Sequence, residues 1–114
     1  MGAFPTWLAP VQARVLPVSD EHTAYAESLS SRLTDAGFRA DLVAADESLG
    51  ARIRRAKLEK VPYVLVVGAD DVAAGTVGVN DRGATQPSRG VAVDQFIAQL
   101  AADVTSRGLT APVA

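Results

Sequence analysis

The chain has 114 residues, of which 48% are hydrophobic, and a formal net charge of −2 at pH 7. It contains no cysteine and only one histidine, which excludes disulfides, thiolate nucleophiles and metal sites built from Cys or clustered His. A helix that spans a membrane needs about 20 apolar residues, and no apolar run in the sequence approaches that length. We therefore expect one soluble, cytoplasmic domain without a membrane partner.

The first half of the chain predicts two strands separated by a helix. Branched apolar residues at 11–18 lead into a Ser-Asp pair, the pattern of a buried strand that runs into a helix cap. From Glu21 the apolar residues recur at helical spacing, and Gly37 suits the left-handed residue that often ends a helix. Residues 38–43 follow as a short strand.

The middle of the chain predicts a second helix and the central strand. The helix carries an apolar stripe of Leu49, Ile53 and Ala56, and Pro62 ends it. The run YVLVV at 63–67 shows no alternation, which is typical of a strand covered on both faces.

The last part of the chain predicts a polar turn with room for one helical turn, a strand at 76–80, a Gly/Pro-rich loop at 81–90 and a helix through Phe96 and Leu100. The order β-α-β-α-β-β-α implies an α/β fold with a mixed, mainly parallel sheet covered by three helices.

One cluster of positive charge stands out, because nine consecutive positions hold five of the eleven Lys and Arg residues. They are Arg52, Arg54, Arg55, Lys57 and Lys60. Placed at 100° per residue, the first four fall outside the apolar stripe and are expected to face solvent. Many helices carry charged residues on their solvent-exposed face without a binding role. Here, however, Glu59 is the only acidic residue within positions 51–60 that could pair with the five cations, which favours a binding surface for an anion.

Motifs for catalysis are weak. The segment GADDVAAG has the glycines of a phosphate loop but not its Lys and Ser/Thr. Asp70 and Asp71 are adjacent acids in a turn, where capping or solvation is the usual role. The lone His22 follows a helix start and is expected to be exposed. A binding module is therefore the favoured class of protein.

Three segments carry a resemblance to a known family. They are GAFPTWLAPVQ at the N-terminus, DESLGARIRRAKLEKVPYVLVVG in the middle and DVAAGTVGV after it. Together they resemble the C-terminal anticodon-binding domain of bacterial threonyl-tRNA synthetases, over residues 2 to 107. The resemblance implies a mixed five-stranded sheet with three helices, RNA binding, and membership of a homodimeric ligase that joins threonine to its tRNA with ATP. The fifth strand would lie around Gln86 to Arg89.

The resemblance also implies which residues bind RNA. Carried over by position, the anticodon-reading residues are Asp46, Arg54, Lys60, Asp71 and Asn80. Arg54 matches the family's usual arginine, whereas Lys60 and Asn80 stand where arginine is common, and Asp46 where asparagine is. Further phosphate contacts are expected from Arg52, Arg55 and Lys57. The expected partner is the anticodon stem-loop of threonine tRNA.

The N-terminus leads to a prediction about domain organisation. Residues 1–10 resemble the junction from a catalytic domain, 11–107 the anticodon-binding domain, and 108–114 a frayed tail. A Met directly before Gly2 therefore suggests an excised domain. We expect no aminoacylation and no cofactor in this chain, with ATP, Mg²⁺ and Zn²⁺ confined to the catalytic domain of the parent enzyme.

Two alternatives stay open. The chain could be a stand-alone paralogue that binds a protein through Leu58 and the segment around Trp7. It could also be a small enzyme of flavodoxin-like outline with a site at the C-terminal ends of its strands.

Overall fold

The computed structural model describes residues 11–81 and 88–105. The predicted junction 1–10, which includes Trp7, and the predicted tail 108–114 lie outside the described residues.

Within these residues the chain forms five strands, four α-helices and one short 3-10 turn. The elements in chain order are β1 (Ala13–Pro17), the 3-10 turn (Asp20–His22), α1 (Thr23–Asp35), β2 (Ala40–Leu42), α2 (Leu49–Leu58), β3 (Tyr63–Val67), α3 (Ala69–Ala74), β4 (Thr76–Asp81), β5 (Ser88–Ala92) and α4 (Val93–Thr105). The predicted α/β class is confirmed. The fifth strand was expected around Gln86 to Arg89 and is found at Ser88–Ala92, while residues 82–87 lie outside the description.

The strands form one sheet in the order β2-β1-β3-β4-β5. The apolar run at 63–67 is therefore the central strand, as its lack of alternation predicted. β1 pairs in parallel with β2 and β3, whereas β4 is antiparallel to both β3 and β5. The prediction of a mainly parallel sheet is wrong, because half of the pairings are antiparallel.

The connection between β3 and β4 explains that difference. It comprises only residues 68–75, most of which form α3. A crossover to a parallel neighbour needs a dozen or more residues, so the chain turns back and β4 pairs antiparallel. The same helix raises the number of helices from the predicted three to four.

The two faces of the sheet are covered unequally. On one face, α1 and α4 pack over the strands, and the buried side chains form the main core. This core includes Leu29, Leu33, Leu65, Val77, Val79, Phe96 and Leu100. On the other face, Ala56 of α2 packs with Leu16 and Val64, and no residue described in this second cluster comes from β4 or β5. The second face is therefore open over β4 and β5.

An ion-pair network around the buried Arg14 joins α2 to the parallel edge of the sheet. The guanidinium of Arg14 in β1 donates to both carboxylate oxygens of Asp41, at 2.9 and 3.0 Å, and lies 2.8 Å from Oε1 of Glu59. The hydrogen bond to Asp41 raises the pKa of Arg14 above its usual value, although burial opposes it. Arg14 thus stays charged and holds the C-terminal end of α2 against β1 and β2.

Candidate nucleic-acid interface

Helix α2 presents one face to the sheet and the other to solvent. The hydroxyl of Ser48 caps its N-terminus by accepting a hydrogen bond from the Ala51 amide at 3.1 Å. Ala56 is fully buried, and Leu49 and Ile53 pack beside it, so the predicted apolar stripe is confirmed. The helix therefore holds its outward side chains on a fixed platform.

Arg52 does not face solvent, and the prediction that it does is wrong. Its residue exposure is 2%. Its guanidinium donates to the backbone carbonyls of Pro17 at 2.7 Å and Glu47 at 3.0 Å, with a longer contact to Val43 at 3.5 Å. These bonds join the end of β1 to the loop before α2. The buried guanidinium is therefore a structural group and is not placed to contact phosphate.

The other cations of the cluster are exposed. Arg55 forms an ion pair with Glu47, while Glu59 is engaged by Arg14. Arg54, Lys57 and Lys60 make no ion pair with any residue that the structure describes. Their charges are available to an anion in solution. Leu58 lies among them with 75% of its surface exposed.

Lys60 has an unusual backbone at the end of α2. Its φ is +65°, in the left-handed region where glycine is favoured. The Lys60 amide donates to the Lys57 carbonyl at 3.1 Å and the Val61 amide to the Ala56 carbonyl at 3.0 Å. These two bonds form a Schellman motif, whose left-handed position is usually a glycine. The chain thus has a lysine at a position where the backbone alone would favour glycine.

The uncovered part of the sheet forms a groove of about 850 Å³. Leu49 and Ile53 of α2 form one wall, and Thr76, Gly78 and Asn80 lie along β4. The start of α3 closes one end with Asp70 and Asp71, and Arg89 and Gly90 of β5 line the outer edge. The groove is thus an open surface with an apolar wall and polar side chains at its ends and edge.

Asp71 is held rigidly at one end of the groove. One carboxylate oxygen accepts a hydrogen bond from the Gly68 amide at 3.0 Å, and the other accepts one from the Thr76 hydroxyl at 2.8 Å. The expected capping role of this acidic pair is therefore confirmed for Asp71. Each oxygen keeps a further lone pair, so the carboxylate can also accept a hydrogen bond from a ligand in the groove.

The predicted RNA-binding residues do not form one cluster. Asp71 and Asn80 both line the groove. Asn80 is paired in register with Val64, near the start of β3, whereas Asp71 lies beyond the other end of that strand at Val67, which is about 10 Å further along it. Arg54 and Lys60 are exposed on α2 and at its C-terminal end, and Asp46 is exposed in the loop before it. None of these three lines the groove.

Arg89 is a groove residue that the sequence analysis did not assign to the site. It is exposed on β5 and lines the same groove as Asp71 and Asn80. The sequence around Arg89 predicts a loop with a short strand, and such a pattern does not show which face of the sheet a side chain lies on.

In the described part of the chain, no helix is long and apolar enough to cross a membrane. The same residues contain no group of three or more His, Cys, Asp or Glu side chains that could hold a metal ion.

Known proteins resemble this chain over most of its length. The family described as "Anticodon binding domain" matches residues 12–103. The threonine–tRNA ligases of Lactobacillus gasseri and Geobacillus kaustophilus are 47% and 46% identical over 106 and 107 residues, which is 92% and 93% of this chain. The chain spans only 16% of the length of either relative.

Solved structures agree with these relatives. The RNA-binding domain of threonyl-tRNA synthetase from Cryptosporidium parvum is 30% identical, with a TM-score of 0.83 over 89% of this chain and 25% of that chain. A prolyl-tRNA synthetase from the same organism has a TM-score of 0.80 over 91% of this chain and 22% of that chain. Its identity is 17%, so this second likeness shows the fold alone.

Proposed function

The chain belongs to the anticodon binding domain family, and from that membership we propose that it recognises the anticodon loop of threonine tRNA as the C-terminal domain of a threonine–tRNA ligase. The observation that supports this most directly is the open groove beside α2, which combines an exposed sheet surface with hydrogen-bonding side chains and adjacent cations that have no ion pair within the described residues. The relatives favour this function over a stand-alone module that binds a protein.

The chemistry of the groove suits single-stranded RNA. Anticodon loops present unstacked bases, which proteins read through base edges, stacking and phosphate contacts. The fixed carboxylate of Asp71 can accept from a base amino group, and the amide of Asn80 can both donate and accept. The guanidinium of Arg54 can form forked hydrogen bonds to a base or phosphate. Lys57 and Lys60 can form ion pairs with the phosphate groups of the RNA backbone.

We assign the chemistry of aminoacylation to the rest of the parent ligase. The ATP, Mg²⁺ and Zn²⁺ sites belong to its catalytic region, so this chain alone is expected not to charge tRNA. We further propose that the parent enzyme is a homodimer and acts in the cytoplasm.

Binding to two tRNAs tests the proposal. The 114-residue chain is titrated against threonine tRNA and against the same tRNA with an exchanged anticodon, at about 50 and 200 mM salt. We expect about tenfold tighter binding of the cognate tRNA. Both affinities should fall with salt, because phosphate contacts release counterions. Equal affinity for the two tRNAs at each salt concentration would reject anticodon recognition and leave nonspecific electrostatic binding.

Lys60 offers a test in which stability and binding change in opposite directions. Lys60→Gly should raise the free energy of unfolding by about 1 kcal/mol, because glycine adopts the left-handed conformation without the strain of a side chain. Affinity for both tRNAs should fall, since a cation at the end of α2 is lost. Urea denaturation and tRNA titration measure the two effects.

The matched control is the same substitution three residues earlier. Lys57 is within the regular part of α2, so Lys57→Gly should lower the free energy of unfolding by about 1 kcal/mol. If Lys60→Gly were also destabilising, the left-handed backbone would not be a source of strain.

A further inference from the structure

We propose that Arg89 is a further specificity-determining residue, whose guanidinium donates hydrogen bonds to an anticodon base held in the groove beside Asn80. This inference rests on the proposed function of the chain as an anticodon-binding domain. Arg89 would give β5 a role in base recognition, whereas the resemblance by position named no residue of this strand.

A β-bulge places Arg89 on the groove side of the sheet. Val77 of β4 pairs with Val91 of β5, but Val79 pairs with Ser88, so Arg89 and Gly90 together oppose the single residue Gly78. In a regular ladder Arg89 would oppose Val79, whose side chain is in the core beneath α1 and α4. The extra residue shifts the alternation by one position and directs Arg89 to the opposite face.

The backbone at Gly90 makes this bulge possible. Its φ is +66°, a left-handed conformation that glycine adopts without strain. Bulges of this kind redirect side chains next to functional sites. The position of Arg89 is therefore a consequence of local backbone geometry.

Arg89 and Asn80 flank an open floor. Arg89 and Gly90 oppose Gly78, and Asn80 is two residues further along β4 on the same face, a diagonal relation in which residues are roughly 7–8 Å apart and their Cβ atoms somewhat closer. Gly78 carries no side chain between them. The space over Gly78 is therefore flanked by the guanidinium of Arg89 and the side-chain amide of Asn80. Both groups can form hydrogen bonds with the edge of a base.

The guanidinium of Arg89 has no partner among the residues that the structure describes, since it makes neither an ion pair nor a side-chain hydrogen bond there. Arg89 is also the only cation among the residues described as lining the groove. Within the described residues, no group competes with a ligand for its donors. A planar guanidinium pairs with two adjacent acceptors on a base edge, such as guanine O6 and N7, better than an ammonium does.

The test compares variants of the 114-residue chain by titration with threonine tRNA and its anticodon-exchanged form. Arg89→Ala should weaken the cognate tRNA about tenfold and reduce the preference over the exchanged tRNA. Arg89→Lys should keep the salt dependence but restore little of the preference, because lysine retains the charge and loses the fork. Arg39→Ala removes the same charge from an exposed position before β2, at the opposite edge of the sheet, and should leave the preference unchanged.

The outcomes separate this inference from the proposed function. If the unsubstituted chain does not distinguish the two tRNAs, the proposed function fails. If it does, and Arg89→Ala keeps the full preference or weakens both tRNAs equally, the role of Arg89 in specificity is rejected alone. A circular dichroism melt confirms that each variant is folded, and Arg89→Lys provides the comparison if the alanine variant is not.

Discussion

Arg52→Ala is expected to lower the free energy of unfolding by about 3 kcal/mol, because it removes a buried charged donor from backbone carbonyls. Without the guanidinium, the carbonyls of Pro17 and Glu47 lose these hydrogen bonds, and the space of a buried side chain is left unfilled. Urea denaturation followed by circular dichroism measures the change.

Arg54→Ala is the matched control for that experiment. Arg54 is on the same helix two residues later, but its side chain is exposed, so the same substitution should change the free energy of unfolding by less than about 0.5 kcal/mol. Similar unfolding curves for Arg52→Ala and the unsubstituted chain would contradict the structural role of Arg52.

The difference between these two arginines shows what a helical pattern can predict. The stripe of Leu49, Ile53 and Ala56 follows from residue type and spacing, and it packs against the sheet as expected. Arg52 lies about 60° from Leu49 on one side of the stripe and Lys57 about 80° on the other, so periodicity treats them alike. Only Arg52 meets buried carbonyl groups, and these come from parts of the chain that the helix pattern does not include.

Sheet direction was predicted less well than strand position. The strand at 63–67 could be identified as central because its apolar run needs cover on both faces. The antiparallel return of β4 depends on the length of the connection through α3, which the sequence suggested only as a turn. Likewise, the ion pairs of Arg14 with Asp41 and Glu59 join distant segments and have no local signature.

The candidate site was predicted in part for similar reasons. Resemblance by position named Asp71 and Asn80, and the structure places both in one groove. A resemblance by position does not identify Arg89, because the face of the sheet on which its side chain lies depends on a bulge between β4 and β5. The roles of these residues in RNA binding stay predictions.

Arg54→Ala should have a large effect on RNA binding while leaving the fold intact. If the guanidinium forms two hydrogen bonds with an anticodon base, its loss should weaken binding of the cognate tRNA by about 1–3 kcal/mol. The difference in affinity between the cognate and the anticodon-exchanged tRNA should then become smaller. Arg54 is exposed on α2, and within the described residues it makes no ion pair, so no existing contact competes with RNA. Titration of both tRNAs at matched salt measures the effect.

Arg55→Ala is the control for charge in that titration. Arg55 is adjacent to Arg54 and exposed, but its guanidinium pairs with Glu47, so its removal should weaken both tRNAs alike or leave them unchanged. Because the two substitutions remove the same charge from neighbouring positions of one helix, only a contact with a base makes their effects on discrimination differ. Full discrimination by Arg54→Ala would remove Arg54 from anticodon recognition, and a melting temperature several degrees lower would make it a structural residue.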